Sequence, residues 1–234
     1  MKNTDIKKGL HDGLPIGLGY LSVSFAFGIF AIEKGFAIWQ ALMISMTNLT
    51  SAGQLAGVTL MAAASAFVEI ALSQLIINLR YSLMSITLSQ KMDSSITTKD
   101  RFFISIFVTD EIFAAASSYD RVTKTYMKAL AILPYVGWSV GTLLGALIGN
   151  VLPESMVSCL GLAIYGMFIA IIVPPAKKNK AVLGAILTAC VLSCVIKYTP
   201  LSNVISDGFS IIICSILAAG LFAWLCPVKE AEND

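Results

Sequence analysis

Residues 47–81 read TNLTSAGQLAGVTLMAAASAFVEIALSQLIINLRY. The stretch is apolar enough to lie in a membrane. Yet it opens on a knot of small and polar residues, Asn48-Leu49-Thr50-Ser51-Ala52-Gly53-Gln54, and later carries Glu69 and Arg80 among hydrophobic neighbours. An ionisable side chain in a membrane segment costs at least a few kcal/mol and persists where it lines a pathway or meets a partner. The rest of the chain is read as a scaffold around this stretch.

Composition agrees. Hydrophobic residues make up 57% of the 234 and charged residues only 13%, against roughly 25% charged in soluble domains. Mean hydropathy is +0.82. These values point to a polytopic all-α membrane protein, with residues 1–234 forming one transmembrane domain in the lipid bilayer. A net charge of +2 offers no basic face for nucleic acid. The five cysteines lie in or beside apolar runs without a CxxC pair, and read as small core hydrophobes. With one histidine, His11, no metal cluster is expected, and no cofactor. No P-loop, HExxH or GxSxG appears, so no enzyme is expected.

Spanning takes about 20 apolar residues. Uncharged runs occur at 14–32, 35–68, 129–153, 155–176, 181–196 and 208–228; segments 67–90 and 102–119 are apolar but hold charges. About eight hydrophobic helical elements follow, with six to eight crossings. The apolar run 14–32 is longer than a signal-peptide core of about 7–15 residues and is read as a retained first span. Run 35–68 would make a single helix of about 51 Å, too long for a hydrocarbon core of about 30 Å. A broken element fits better: a helix near 37–47, a break at 48–53, a second helix from about 54. Asn48, Thr50 and Ser51 can cap the new start.

Lysine and arginine in short loops set orientation. Lys2, Lys7 and Lys8, the loop 120–128, the loop 177–180 and Lys229 should be cytoplasmic, so both termini lie inside. The link 149–155 has no Lys or Arg and should face out. If every element crosses, the loop 89–101 with Lys91, Lys99 and Arg101 falls outside against the rule. If 37–64 and 102–119 re-enter instead, it returns to the cytoplasm. Leu14-Pro15 and its small-residue span resemble Leu133-Pro134, a thin hint of duplication. Gly17, Gly19, Gly28, Gly137, Gly141, Gly145 and Gly149 equally fit close helix packing.

Glu69 and Arg80 fall nearly in phase with Ser73 on one helix, but about 16 Å of rise keeps them from pairing. Gln74, Asn78, Tyr81 and Ser85 lie on the opposite side, as interhelical hydrogen-bonding groups or as the wall of a substrate cavity. Asp110 and Glu111 sit mid-way in 102–119; burial and like charge oppose ionisation of both. One of them could exchange a coupling proton, or could form an ion pair with Arg80. A half-helix starting near Ser51–Gln54 would aim N–H groups and a positive dipole end inward, a carboxylate site; the alternative is a kink or tight packing.

Three stretches carry a family resemblance: Ser51-Ala52-Gly53-Gln54-Leu55-Ala56, Asn78-Leu79-Arg80-Tyr81 before Met84, and Thr109-Asp110-Glu111-Ile112-Phe113-Ala114. They resemble the AzlC-type large subunit of branched-chain amino acid exporters (LIV-E family), whose stretches read approximately A-G-x-Q-F, N-x-R-H/Y and T-D-E-x-F. Leu55 and Tyr81 depart mildly from that pattern. The resemblance implies export of branched-chain amino acids across a bacterial plasma (inner) membrane. It also implies a small, separate AzlD-type membrane subunit. On this reading Asn48, Ser51, Gly53, Gln54, Asn78, Arg80 and Tyr81 bind substrate, and Glu69, Asp110 and Glu111 serve proton coupling or ion pairing. A channel, or a structural subunit of a membrane complex, is the alternative.

Overall fold

A computed structural model describes residues 2–149, 166, 169 and 172–226. The helices are α1 (Lys2–Glu33), α2 (Ile38–Thr47), α3 (Ser51–Ala62), α4 (Phe67–Lys91), α5 (Thr98–Ser105), α6 (Asp110–Ser117), α7 (Lys124–Gly149), α8 (Lys180–Tyr198) and α9 (Asp207–Leu225). Among the described residues no strand forms, so the all-α class holds. Helices α1, α7, α8 and α9 are long and apolar enough to cross a membrane. The run 155–176 lies mostly outside the described residues, as do the link 150–155, Cys159 and Lys229. Two compact units are present, Met1–Ala62 with Ile77–Ile164, and Ala63–Ile76 with Tyr165–Asp234; α4 contributes to both.

The first unit is built on α1 and α7. Small residues recur every four positions at Gly9, Gly13 and Gly17 and again at Gly137, Gly141, Gly145 and Gly149. That spacing keeps them on one helix face and lets backbones touch. Gly9 lies on Tyr126 and Ala129, Gly17 on Leu133, Gly141 on Leu21, and Gly149 on Ile29. The two helices therefore run parallel, with a proximal end at Gly9 and Lys124 and a distal end at Ile29 and Gly149. Gly19 meets nothing and stands outside this seam. Pro134 removes the ordinary amide partner of the Leu130 carbonyl, and that carbonyl faces Gly13.

The break in 35–68 is real, and shorter than expected. α2 ends on Asn48, whose N–H reaches the Ile44 carbonyl at 2.9 Å. α3 already begins at Ser51, because the Thr50 hydroxyl caps it by accepting from Gly53 N–H at 3.3 Å. The pair is a hairpin. Ala41, early in α2, and Val58, late in α3, share a buried cluster with Phe27, Ala31 and Ala146 near the distal end. Between them the chain dips toward mid-helix: Ser45 meets Thr142 at 2.7 Å, and the Tyr135 hydroxyl donates to the Met46 carbonyl at 3.2 Å.

Segment 98–117 mirrors this from the other side. Thr97 caps α5, accepting from Asp100 N–H. Thr109 caps α6, accepting from Ile112 N–H at 3.4 Å. The base of this second hairpin is held at the proximal end. Asp100 pairs with Lys124, Lys91 Nζ donates to the Ser117 carbonyl at 2.6 Å, and Tyr119 and Tyr126 both donate to Asp12 at 2.9 Å. The Lys124 and Thr97 side chains hold the Asp100 carboxyl down at about 2; it is ionised, and the pair intact, at any physiological pH. The tip lies at mid-helix, where the Phe107 ring sits 5.3 Å from Tyr135. Both broken segments thus turn back near the middle of α7. The loop carrying Lys91, Lys99 and Arg101 lies at the same end as Lys124, the arrangement in which the basic loops agree.

In the second unit α8 packs on α9, with Gly184 against the Phe222 ring. Cys214 is buried, whereas Cys190, Cys194 and Cys226 are exposed. On α8, Cys190 and Cys194 share the surface with Leu187 and Val191, a composition suited to hydrocarbon rather than to a core.

Candidate functional site

The two hairpin tips converge on the part of α4 that lies in the first unit. From tip one, the Thr50 hydroxyl donates to Asn78 Oδ1 at 3.1 Å. From tip two, Asp110, the first residue of α6, takes a 2.8 Å ion pair from Arg80 Nη1. Arg80 Nη2 also donates to the Tyr81 hydroxyl at 3.3 Å, with the guanidinium over the Tyr81 ring. Asn78, Arg80 and Tyr81 therefore bridge the two unwound segments, as their close spacing on one helix permits. The Arg80 and Asp110 side chains stay 41% and 39% exposed, so the protein seals neither charge in its core.

Glu111 points elsewhere. The Tyr20 hydroxyl of α1 donates to Glu111 Oε2 at 2.5 Å and hydrogen-bonds the Thr109 hydroxyl at 2.6 Å. Tyr20 packs edge-on against Trp138 of α7, centroids 4.9 Å apart. Trp138 donates to Gln54 Oε1 at 3.3 Å, and Gln54 Nε2 donates to Ser45 at 3.3 Å. Gln54 is thus fully buried and engaged at both ends of its amide. It fixes α3 against α2 and α7. Gly53 is buried too, with its N–H on Thr50; Asn48 and Ser51 are half-buried beside the break.

Glu69 belongs to the second unit. Its carboxylate, 5% exposed, accepts from the Ser206 hydroxyl at 2.5 Å and from Gly208 N–H at 2.9 Å at the start of α9. An acid at a helix N-terminus meets unsatisfied N–H groups and the positive dipole end. Sequence spacing kept Glu69 from Arg80, and the structure gives it this capping role instead. Replacing Glu69 by alanine is expected to destabilise the second unit by about 1–3 kcal/mol, because buried donors lose their acceptor. A thermal melt of the purified protein checks this; Glu69→Gln, which keeps an acceptor, should lose less.

The motifs pointed to Asn78, Arg80, Tyr81, Asp110 and Glu111. They did not point to Tyr20, Ser45, Trp138 or Thr142. Each of those is a lone polar or amphipathic residue in an apolar run, a signal shared with many residues that only pack.

Chemically, the tips present a cation, an anion, an amide and two hydroxyls at mid-depth between apolar helices. That set suits a small zwitterion: a carboxylate on Arg80 and an ammonium on Asp110 would each replace one half of the ion pair.

Comparisons with known proteins agree with a membrane transporter-type role. Residues 15–152 match the AzlC protein family. An uncharacterized membrane protein of Archaeoglobus fulgidus is 30% identical over 75% of this chain and 78% of its own. The inner membrane protein YgaZ of Escherichia coli is 25% identical over 74% of both chains. An uncharacterized membrane protein of Helicobacter pylori strain J99 is 28% identical over 62% of this chain and 67% of its own. No solved structure matches the chain. The matched span contains both hairpins, Arg80, Asp110 and most of the α1–α7 seam, and the chain belongs to the AzlC family.

Proposed function

We propose that this protein is a secondary active exporter of branched-chain, hydrophobic amino acids, driven by the proton-motive force. It would lie in a bacterial inner membrane with both termini cytoplasmic and work with a small AzlD-type subunit. The observation that carries the reading is the part-exposed Arg80–Asp110 pair where two oppositely entering hairpins meet. A static pair built only for stability gains little at such exposure, whereas a zwitterionic substrate can exchange with it charge for charge. Asn78 and Tyr81 complete the polar wall. Ser51 frames the carboxylate end, and Gln54 with the buried Gly53 holds α3 in place. Glu111, bonded to Tyr20, is the candidate for the coupling proton.

Counter-flow of labelled leucine into proteoliposomes, with and without the small subunit, tests the reading. Saturable, stereoselective counter-flow is the expected result. Its absence in both preparations, or an ohmic current instead, would favour a channel and overturn the exporter.

A further inference from the structure

The first unit contains an inverted duplication that the paired Leu-Pro dipeptides do not mark. α1 rises from the proximal to the distal end and is followed by hairpin α2–α3, which enters from the distal end. From Asn78 to Lys91, α4 descends to the proximal end and is followed by hairpin α5–α6, which enters from there. The start of each hairpin is closed by a side chain three residues on: Gln40 accepts from Ala37 N–H at 2.8 Å, and Asp100 from Thr97 N–H at 3.3 Å. The second half-helix of each is capped by a threonine, Thr50 or Thr109, accepting the amide three residues later. Each of these hydroxyls also reaches the crossing helix of the other half: Thr50 meets Asn78 of α4, and Thr109 meets Tyr20 of α1. The pairs Ala37 and Thr97, Thr50 and Thr109, Tyr20 and Asn78 keep a nearly constant sequence offset.

We infer that Thr50–Asn78 and Thr109–Tyr20 are equivalent latches on two opposed gates, so that releasing one hairpin tip opens the site toward the distal end and releasing the other opens it toward the proximal end. Each threonine joins its own cap to a partner on the other half, so loss of a single hydroxyl weakens both the cap and the docking of its tip. Side-chain bonds of this kind fit a two-state element, since each contributes modestly and is readily remade. The bases are held unequally. Hairpin two is tied by Lys91, Lys124 and the Asp12 cluster, whereas hairpin one is entered through Gly35 at φ 86° and followed by Ala64 at φ 53°. Positive φ at alanine is a strained conformation, and it places a backbone reorientation point after α3.

The inference rests on the transport reading for its purpose, but its test reads accessibility and not flux. In a chain whose native cysteines are replaced, single reporters at the equivalent, half-buried positions Ala56→Cys and Ala115→Cys are labelled in sealed vesicles with a membrane-impermeant maleimide from each side. Thr50→Val should raise labelling of the Ala56 reporter from the distal side and lower that of the Ala115 reporter from the proximal side. A change of about threefold is the scale of one hydrogen bond acting on a two-state balance. Thr109→Val and, independently, Tyr20→Phe should do the reverse, and the double Thr50→Val/Thr109→Val variant should return toward the starting balance. Thr50→Ser and Thr109→Ser, which keep the hydroxyl, should label as the parent does. If Thr50→Val and Thr109→Val move both reporters the same way, or if monodisperse variants leave both unchanged, the latches are not opposed gates. Absence of leucine counter-flow in the parent chain, with reciprocal labelling seen in the variants, would leave this inference standing and sink the substrate assignment alone.

Discussion

Arg80→Ala is expected to reduce leucine export by about 10- to 150-fold while the chain still folds and inserts. The range follows from the charge-assisted hydrogen bond that a substrate carboxylate would lose, about 1.5–3 kcal/mol at about 1.4 kcal/mol per factor of ten. The fold should tolerate the change, because the Arg80 and Asp110 side chains are 41% and 39% exposed and neither is left as a fully buried, unpaired charge. Asp110→Asn should behave similarly through the ammonium end. The measurement is intracellular leucine after loading cells with a leucine dipeptide, with expression matched to the parent and the small subunit present. The charge-swapped double variant, Arg80→Asp with Asp110→Arg, separates transport from assembly. It can rebuild an ion pair but puts the cation on the hairpin and the anion on α4. Full recovery of export in the swap would mean that the pair only holds the protein together.

The second large effect concerns folding. Gly145→Ala is expected to prevent α1 and α7 from closing, with loss of most folded protein. A Cβ at Gly145 would sit 1.9 Å from the Phe25 carbonyl oxygen and 3.0 Å from the Phe25 Cα. Overpacking usually costs about 1–3 kcal/mol when side chains can shift. Here the obstacle is backbone, and neighbouring positions allow no compensating slide: Gly141 meets the Leu21 carbonyl and Gly28 the Thr142 carbonyl. Gly19→Ala is the control, since nothing lies near its Cβ position, and should melt like the parent. Thermal unfolding in detergent, with the monodisperse fraction after solubilisation, reads both. A parent-like melt for Gly145→Ala would show that the two helices do not run at this separation.

The broken helix was legible because its parts obey local rules. A run too long to be one span and too short to be two, with Asn, Thr, Ser and Gly at its middle, has few other ways to satisfy its backbone. The cap fell at Thr50 and not further on, a choice among several competent residues that only the final bond to Gly53 settles. The polar residues of α4 were legible for the same reason: charge in an apolar segment is conspicuous. The role of Gln54 was not. From sequence its amide reads as a ligand for substrate, yet Trp138 and Ser45 occupy both its ends, and both partners reach it through tertiary packing. Glu69 is similar, since its acceptor role depends on Ser206 and Gly208, far along the chain.

Hydropathy, the interrupted run and the basic loops by themselves determine a polytopic helical membrane protein with polar groups at mid-depth, because the cost of exposing backbone or charge to lipid is large and local. Whether 37–64 and 102–119 cross or turn back, and which acid Arg80 meets, was decided only in three dimensions. Lys and Arg counts separate those topologies weakly, and the choice between Asp110 and Glu111 turns on where Tyr20 stands on α1, a placement set by the glycine seam with α7.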